Sequence, residues 1–263
     1  MMVLRELALA WAVAATLQLV LWLVQQRTKN AGIVDVGWAS SFSLVVAVFA
    51  LRTTNDPAAW FPIFLVVAAW SIRLTAYLIS RGAARSPEEG RYVDLRKRWA
   101  PHASRSFFVF FQAQAALTGV LSAAFVVPFL APLESRWLLW VGVAISVIGV
   151  LGETVADAQL ARFKRSNKGK VCDVGLWSWS RHPNYFFEWC VWIGYAVYGL
   201  AFGAWGLIAL LGQAIIVGSI FGVTGIPPTE NQAVRSKGDA YRDYQKRVSR
   251  FVPWPPKSPS SGA

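Results

Sequence analysis

The stretch Gly175-Leu176-Trp177-Ser178-Trp179-Ser180-Arg181-His182-Pro183-Asn184-Tyr185-Phe186-Phe187-Glu188-Trp189-Cys190-Val191-Trp192-Ile193-Gly194-Tyr195 carries a polar, basic loop directly into an apolar run. Arg181, His182, Asn184, Tyr185 and Glu188 fall at the junction, around Pro183, a residue suited to the first turn of a helix. An ionisable residue that enters a bilayer with its segment is costly and marks a functional site by default. The stretch therefore reads as one wall of a site facing the cytosol, at the start of a membrane helix.

The rest of the chain fits that setting. Its 263 residues are 55% hydrophobic and 15% charged, more apolar than a soluble domain of this size. Seven apolar stretches are long enough to be read as spans: 3–25, 33–51, 58–80, 106–130, 137–160, 184–200 and 203–225. The expected fold is thus an all-α membrane bundle of seven helices. The first stretch lacks a small-residue cleavage site and reads as a retained helix. With the N-terminus outside, the inward segments 26–32, 81–105, 161–183 and 226–263 hold 2, 7, 6 and 7 Lys/Arg, or 22 of the 26. Only Arg5, Arg52 and Arg136 fall outward, so the C-terminus is expected in the cytoplasm.

The net charge of +12 is therefore concentrated on one face. Topology and anionic headgroups account for such a face; so does a site for a polyanionic cofactor. Nucleic acid is not expected as a partner, because the basic loops are short and tied to the membrane. Two Cys and two His offer no metal-ligand spacing, and a loop Cys172 and an intramembrane Cys190 make a structural disulfide improbable. Residues 1–254 read as one membrane domain, 255–263 as a flexible tail, and 229–250 as an amphipathic helix after the Pro227-Pro228 break.

Five ionisable residues are expected within the spans: Asp35, Arg73, Glu153, Asp157 and Glu188. All lie in the inner half of the bilayer, a pattern expected of a cavity open to the cytosol. Each has a structural alternative. Asp35 can cap a helix, Arg73 can snorkel, Glu153 and Asp157 can pair with basic neighbours, Glu188 can complement a helix dipole, and His182 can be an ordinary loop residue.

The block from Gly175 to Phe186, with Glu188 and Trp192-Ile193-Gly194-Tyr195, resembles the steroid 5-alpha-reductase family, and most closely its bacterial seven-span branch. Asp35-Val36-Gly37-Trp38, Glu89-Gly90-Arg91-Tyr92 with Arg96, and Tyr241-Arg242-Asp243-Tyr244-Gln245 through Arg250-Phe251-Val252-Pro253-Trp254 fit the same branch. The Arg-His-Pro element is shared with membrane methyltransferases that use S-adenosylmethionine; the Asn-Tyr-Phe-x-Glu extension favours the reductases.

The resemblance implies NADPH-dependent reduction of a carbon–carbon double bond conjugated to a ketone, as in 3-oxo-4-ene steroids, by a monomer in the bacterial inner membrane acting on a lipophilic substrate among membrane lipids. Carried over by position, Arg73, Tyr77, Arg91, Asp157, Lys164, Lys170, Asn184 and Glu188 would line the cofactor. Tyr92, Glu153, Arg181, His182, Tyr185, Trp192, Glu230, Tyr241 and Tyr244 would surround it. Trp38, Trp70, Phe107 and Phe111 would wall an apolar substrate. A carbonyl-polarising donor is also required, with Asp35 expected in that role as a protonated acid and Tyr77 as the fallback. The chain departs from the family at several places: Asp35 stands for a glutamate, Trp70 for a tyrosine, Phe187 for a small residue, and Glu153 for an asparagine. A single Glu230 stands where the methyltransferases carry a Glu-Glu pair.

Overall fold

The computed structural model describes residues 1–85 and 87–257, and only the backbone at Val223. Of the expected flexible tail, residues 258–263 lie outside the described residues. The fold is all-α: among the described residues the β structure is a single parallel bridge between Ser180 and Ser249. Helices α1 (Met2–Thr28), α2 (Ile33–Arg52), α3 (Pro57–Ser80), α4 (Gly90–Arg98), α5 (Ala103–Leu121), α6 (Arg136–Ser166), α7 (Pro183–Leu200), α8 (Ala209–Gly218), α9 (Ile226–Lys237) and α10 (Asp239–Arg247) follow one another in the chain. They fall into two compact units, Met1–Val143 with Tyr195–Gly212, and Ala144–Gly194 with Gln213–Ala263.

Six helical stretches are long and apolar enough to cross a membrane: Met2–Thr28, Ile33–Arg52, Pro57–Ser80, Ala103–Ala124, Arg136–Ser166 and Gly203–Lys237. The expected stretch 184–200 is not among them. That segment is helical, as α7, but Asn184 and Glu188 and its Tyr and Trp side chains dilute its hydropathy. Two other expected spans are less regular than their composition indicates. The 106–130 stretch is helical only to Leu121 and finishes in 3-10 turns at Ser122–Ala124 and Val127–Phe129. The 203–225 stretch runs through a 3-10 helix (Gly203–Ile208), α8 and a π-helical turn (Ser219–Val223).

The first unit is packed as lipid contact requires. Helix α1 turns Glu6, Ala10, Ala14, Gln18 and Gln25 inward and leaves Leu4, Trp11, Leu19 and Leu23 exposed. In water this arrangement would be inverted. In lipid, which is as apolar as leucine, helices meet through small and polar residues. Gly37 of α2 lies against Gln18 and Leu21, and Gly119 of α5 against the Trp11 backbone, with no room for a Cβ at either. Helices α2 and α3 are joined by hydroxyls: Ser43 Oγ donates to Ser71 Oγ at 2.7 Å, and Ser71 Oγ to the Ala39 carbonyl at 2.6 Å. Asp56 caps α3 by accepting from Ala58 N at 2.9 Å, with Pro57 in the first turn.

The loop before α4 is fastened by Glu88. Its carboxylate accepts from Ala31 N at 2.7 Å and from Arg96 Nε and Nη2 at 3.1 and 2.7 Å. Burial alone would raise the Glu88 pKa, but the Arg96 and Ala31 hydrogen bonds with the Arg96 charge outweigh it, and the net shift is downward. A depressed folded-state pKa contributes stability that is complete above the ordinary carboxylate range and is lost as pH falls through the folded value. The unfolding midpoint of the wild type is therefore expected to drop on acidification below about pH 4.5, with a shallower drop in Glu88→Gln. Parallel acid profiles for the two proteins would refute this contribution.

In the second unit, α6 and α7 approach at glycines. A Cβ on Gly149 would lie 2.7 Å from Val191 N and 2.8 Å from the Phe187 carbonyl, and one on Gly152 would lie 2.2 Å from the Phe187 ring. The departure at Phe187 is thereby explained: its ring occupies the space Gly152 leaves open. The helix expected over 229–250 is two helices, because Gly238 between α9 and α10 takes φ 57 and ψ −131, a conformation open essentially to glycine. Pro227 and Pro228 lie in the first turn of α9 instead of outside it.

Candidate functional site

Helix α7 begins at Pro183, with Phe186 N donating to the His182 carbonyl at 3.0 Å. Asn184 therefore sits in the first turn, and Glu188 one turn later on the same face. Asn184 Nδ2 donates to Asp157 Oδ1 of α6 at 3.4 Å, and Trp192 Nε1 donates to Glu188 Oε1 at 2.9 Å. Asp157 is 4% exposed and Glu153, one turn earlier, 6%. Glu153, Asp157, Asn184, Glu188 and Trp192 are thus gathered on the facing helices α6 and α7. The group is rich in acceptors, set into helices that are otherwise apolar. Lys164 and Lys170 lie exposed at and just beyond the end of α6.

Arg181, His182, Glu230 and Tyr244 form a second group that fastens the chain's C-terminal segment. Arg181 Nε donates to Glu230 Oε1 at 2.7 Å, and its Nη1 to the Gln245 and Val248 carbonyls at 2.7 and 2.9 Å. His182 Nε2 lies 3.3 Å from the same Glu230 oxygen, and Gln245 Nε2 donates to the other at 3.1 Å. Arg181 N donates to the Ser249 carbonyl at 2.8 Å and Ser180 Oγ to the Phe251 carbonyl at 2.7 Å. Tyr244 Oη donates to the Trp177 carbonyl. Burial raises the pKa of Tyr244, and burial together with the Glu230 charge pushes Tyr241 up to about 12, so both remain neutral phenols. Tyr185 stacks on His182, ring centroids 5.4 Å apart, with its Oη 3.3 Å from Thr229 Oγ1.

Sequence reasoning did not single out Gln245 and Thr229 for these roles. Gln245 stands out in the sequence only as part of the Tyr241-Arg242-Asp243-Tyr244-Gln245 block. Its position next to Tyr244 was the available signal, but nothing local to the sequence indicates a bond to Glu230.

In the first unit, Asp35, Arg91 and Tyr92 come together. Asp35 is ion-paired with Arg91, and Tyr92 Oη donates to Asp35 Oδ2 at 2.8 Å. Burial works against the Arg91 charge, but Asp35 with Tyr92 and Glu89 outweighs it and raises the Arg91 pKa; burial, then the Asp35 charge, raises that of Tyr92. Asp35 is held here as an acceptor between two donors. Tyr77 stands between two cations, with the guanidinium carbons of Arg73 and Arg81 6.0 and 5.5 Å from its ring centroid.

The expected substrate wall is mostly closed core. Trp70 is fully buried, with Phe42 at 5.2 Å, Trp38 at 6.3 Å and Tyr195 at 6.4 Å between ring centroids. Phe107 and Phe111 are also fully buried, packed with Ala31, Val34 and Tyr92, and Trp99 stands edge-on to Phe107 at 5.0 Å. The physical reason is that α4 folds its one buried residue, Tyr92, onto α5 and covers the aromatic start of that helix. Of the four, Trp38 alone is only partly buried.

An all-α integral membrane protein with acidic and amide side chains gathered inside its helices is the class that fold and site define. The chain belongs to the family described as "Protein of unknown function (DUF1295)", whose model matches residues 21–248. It is similar to the uncharacterized protein C594.04c of Schizosaccharomyces pombe, with 26% identity over 267 residues that cover 89% of this chain and 76% of the relative. No solved structure matches. Membership is consistent with the 5-alpha-reductase-like superfamily.

Proposed function

We propose that this protein is a membrane oxidoreductase that reduces a carbon–carbon double bond conjugated to a ketone in a lipophilic substrate, of the 3-oxo-4-ene steroid kind, with NADPH as reductant. The observation that carries the reading is the acceptor cluster on α6 and α7. A nicotinamide carboxamide and ribose present N–H and O–H donors, and Asp157, Asn184 and Glu188 offer acceptors to meet them within a low-dielectric setting. NADPH supplies a hydride for the β-carbon of the enone. Asn184 and Glu188 would hold the carboxamide or ribose, and Lys164 and Lys170 the phosphates, where several cations suit the 2′-phosphate. Arg91, which the resemblance also implied for the phosphates, has its guanidinium engaged by Asp35 within the first unit.

The decisive experiment follows label transfer. Protein purified in detergent is given a 3-oxo-4-ene steroid with NADPH tritiated on the nicotinamide, and in parallel S-adenosylmethionine with a labelled methyl group and a lipidated thiol. Tritium appearing in the saturated ketone supports the reductase. Methyl transfer, favoured by the shared Arg-His-Pro element, would replace it with the methyltransferase reading.

Cofactor binding has its own prediction. Losing a charge-assisted hydrogen bond costs about 1.5–3 kcal/mol, or roughly tenfold to a hundredfold in affinity. Asn184→Ala and Glu188→Ala are each expected to weaken NADPH binding by that factor in a calorimetric titration, while the protein still folds. Wild-type affinity in both variants would remove the site.

The proposal includes seven crossings with the N-terminus outside and the site open to the cytoplasm. Helix α7 has 18 residues, about 27 Å at 1.5 Å per residue, enough for a polar seventh crossing sheltered by its neighbours. A cysteine placed at Thr54 should react with an impermeant reagent from outside and one at Ser166 only from the cytosol. The reverse pattern at either position refutes the orientation.

A further inference from the structure

The first unit contains a charged cavity that the reductase reading does not use. It lies where α1 begins and α2 ends, the opposite end of these helices from Asp35 and α4. Its volume is about 160 Å³, and Arg5, Glu6, Arg52, Phe49, Val126 and Phe129 contribute to its lining. Glu6 is 4% exposed and accepts from Arg5 Nε and Nη2 at 3.1 and 2.8 Å. Arg52 Nε is 3.6 Å from its other oxygen, too long for a hydrogen bond. Among the described residues the Arg52 side chain makes no hydrogen bond, and it is half-exposed.

Two guanidinium groups against one carboxylate leave a net positive charge beside an apolar wall. Of the three basic residues read as outward, Arg5, Arg52 and Arg136, two border this one cavity. A guanidinium matches phosphate oxygens with paired donors, and Met2 and Leu130, which also line the cavity and keep apolar surface exposed, suit the start of an acyl chain. We infer that this cavity binds the phosphate of an anionic phospholipid headgroup, with Arg52 as its main ligand, Arg5 assisting, and Glu6 setting the net charge to one.

The test uses the full chain in a neutral detergent, with binding read by native mass spectrometry and by the shift in unfolding midpoint. The probes are dioctanoyl phosphatidylglycerol, dioctanoyl glycerol and inorganic phosphate. Phosphatidylglycerol is expected to bind saturably and at least tenfold more tightly than either of the other two. Arg52→Gln should weaken it by roughly tenfold to a hundredfold. Glu6→Gln, which releases both arginines, should strengthen it. Equal binding of dioctanoyl glycerol overturns the headgroup site, and equal binding of inorganic phosphate overturns the lipid as ligand. If Glu6 and the arginines were only a strap between α1 and α2, both variants would lower the lipid-free unfolding midpoint and neither would change lipid affinity selectively. That result also overturns the inference.

Discussion

Arg181→Ala is expected to destabilise the protein by about 3–5 kcal/mol, because removing one partner of a buried ion pair leaves the other charge uncompensated. Arg181 is 9% exposed and the Glu230 side chain 13%. In the variant Glu230 keeps only His182 and Gln245, and the Gln245 and Val248 carbonyls lose their shared donor. The loss falls on one place, since Arg181 and Ser180 together fasten residues 245–251. Limited proteolysis should therefore cut the C-terminal segment of Arg181→Ala well below the unfolding midpoint, where the wild type resists. Arg181→Lys should recover only part, because one ammonium cannot reproduce the planar fork that meets three acceptors. A residue that served NADPH phosphates alone would behave differently, with affinity lost and cofactor-free stability intact. An unchanged unfolding midpoint in Arg181→Ala would sink the fastening role.

The second large effect is on turnover. A single oxyanion-type donor is worth about a hundredfold to a thousandfold in rate. Asp35 accepts from Tyr92 and pairs with Arg91, so to donate to a ketone it would have to exchange those contacts. Tyr77, the other expected donor, has its ring against the guanidinium groups of Arg73 and Arg81 and offers a phenolic O–H. Tyr77→Phe is accordingly expected to lower turnover of a 3-oxo-4-ene steroid by roughly a hundredfold with NADPH affinity unchanged. Asp35→Asn should cost less turnover and more stability, since it leaves Arg91 without its carboxylate. A hundredfold loss in Asp35→Asn with Tyr77→Phe near wild type would return the donor role to Asp35.

Six of the expected spans were legible because hydropathy is a local quantity. A run of apolar side chains long enough for a bilayer is apolar whatever it packs against; α1, α2 and α3 match their expected limits to within three residues, and α6 runs six residues past its expected end. The polar start of α7 was legible for a related reason. Pro183 announces a helix start, helical spacing then puts Asn184 and Glu188 on one face, and carboxylates within apolar segments are too costly to be incidental.

Hydrogen-bond partners were a different matter, because they are chosen across the fold. Nothing near Arg181 indicates that its acceptors come from Glu230, Gln245 and Val248, and nothing near Asp35 indicates Arg91, more than fifty residues on. The same distance explains Phe107 and Phe111. Their apolar character was plain, but whether an apolar ring lines a ligand cavity or fills the core depends on what covers it, and here α4 does. The helix break at Gly238 also required the fold, since it turns on backbone geometry. What the amino-acid sequence by itself determined is the membrane setting, most of the helices and the polar residues set into α6 and α7, all consequences of hydropathy and short-range periodicity. Tertiary structure alone decided which charges are paired, which aromatics are buried and which arginine is committed to holding the chain together, because those outcomes depend on contacts between residues far apart in the chain.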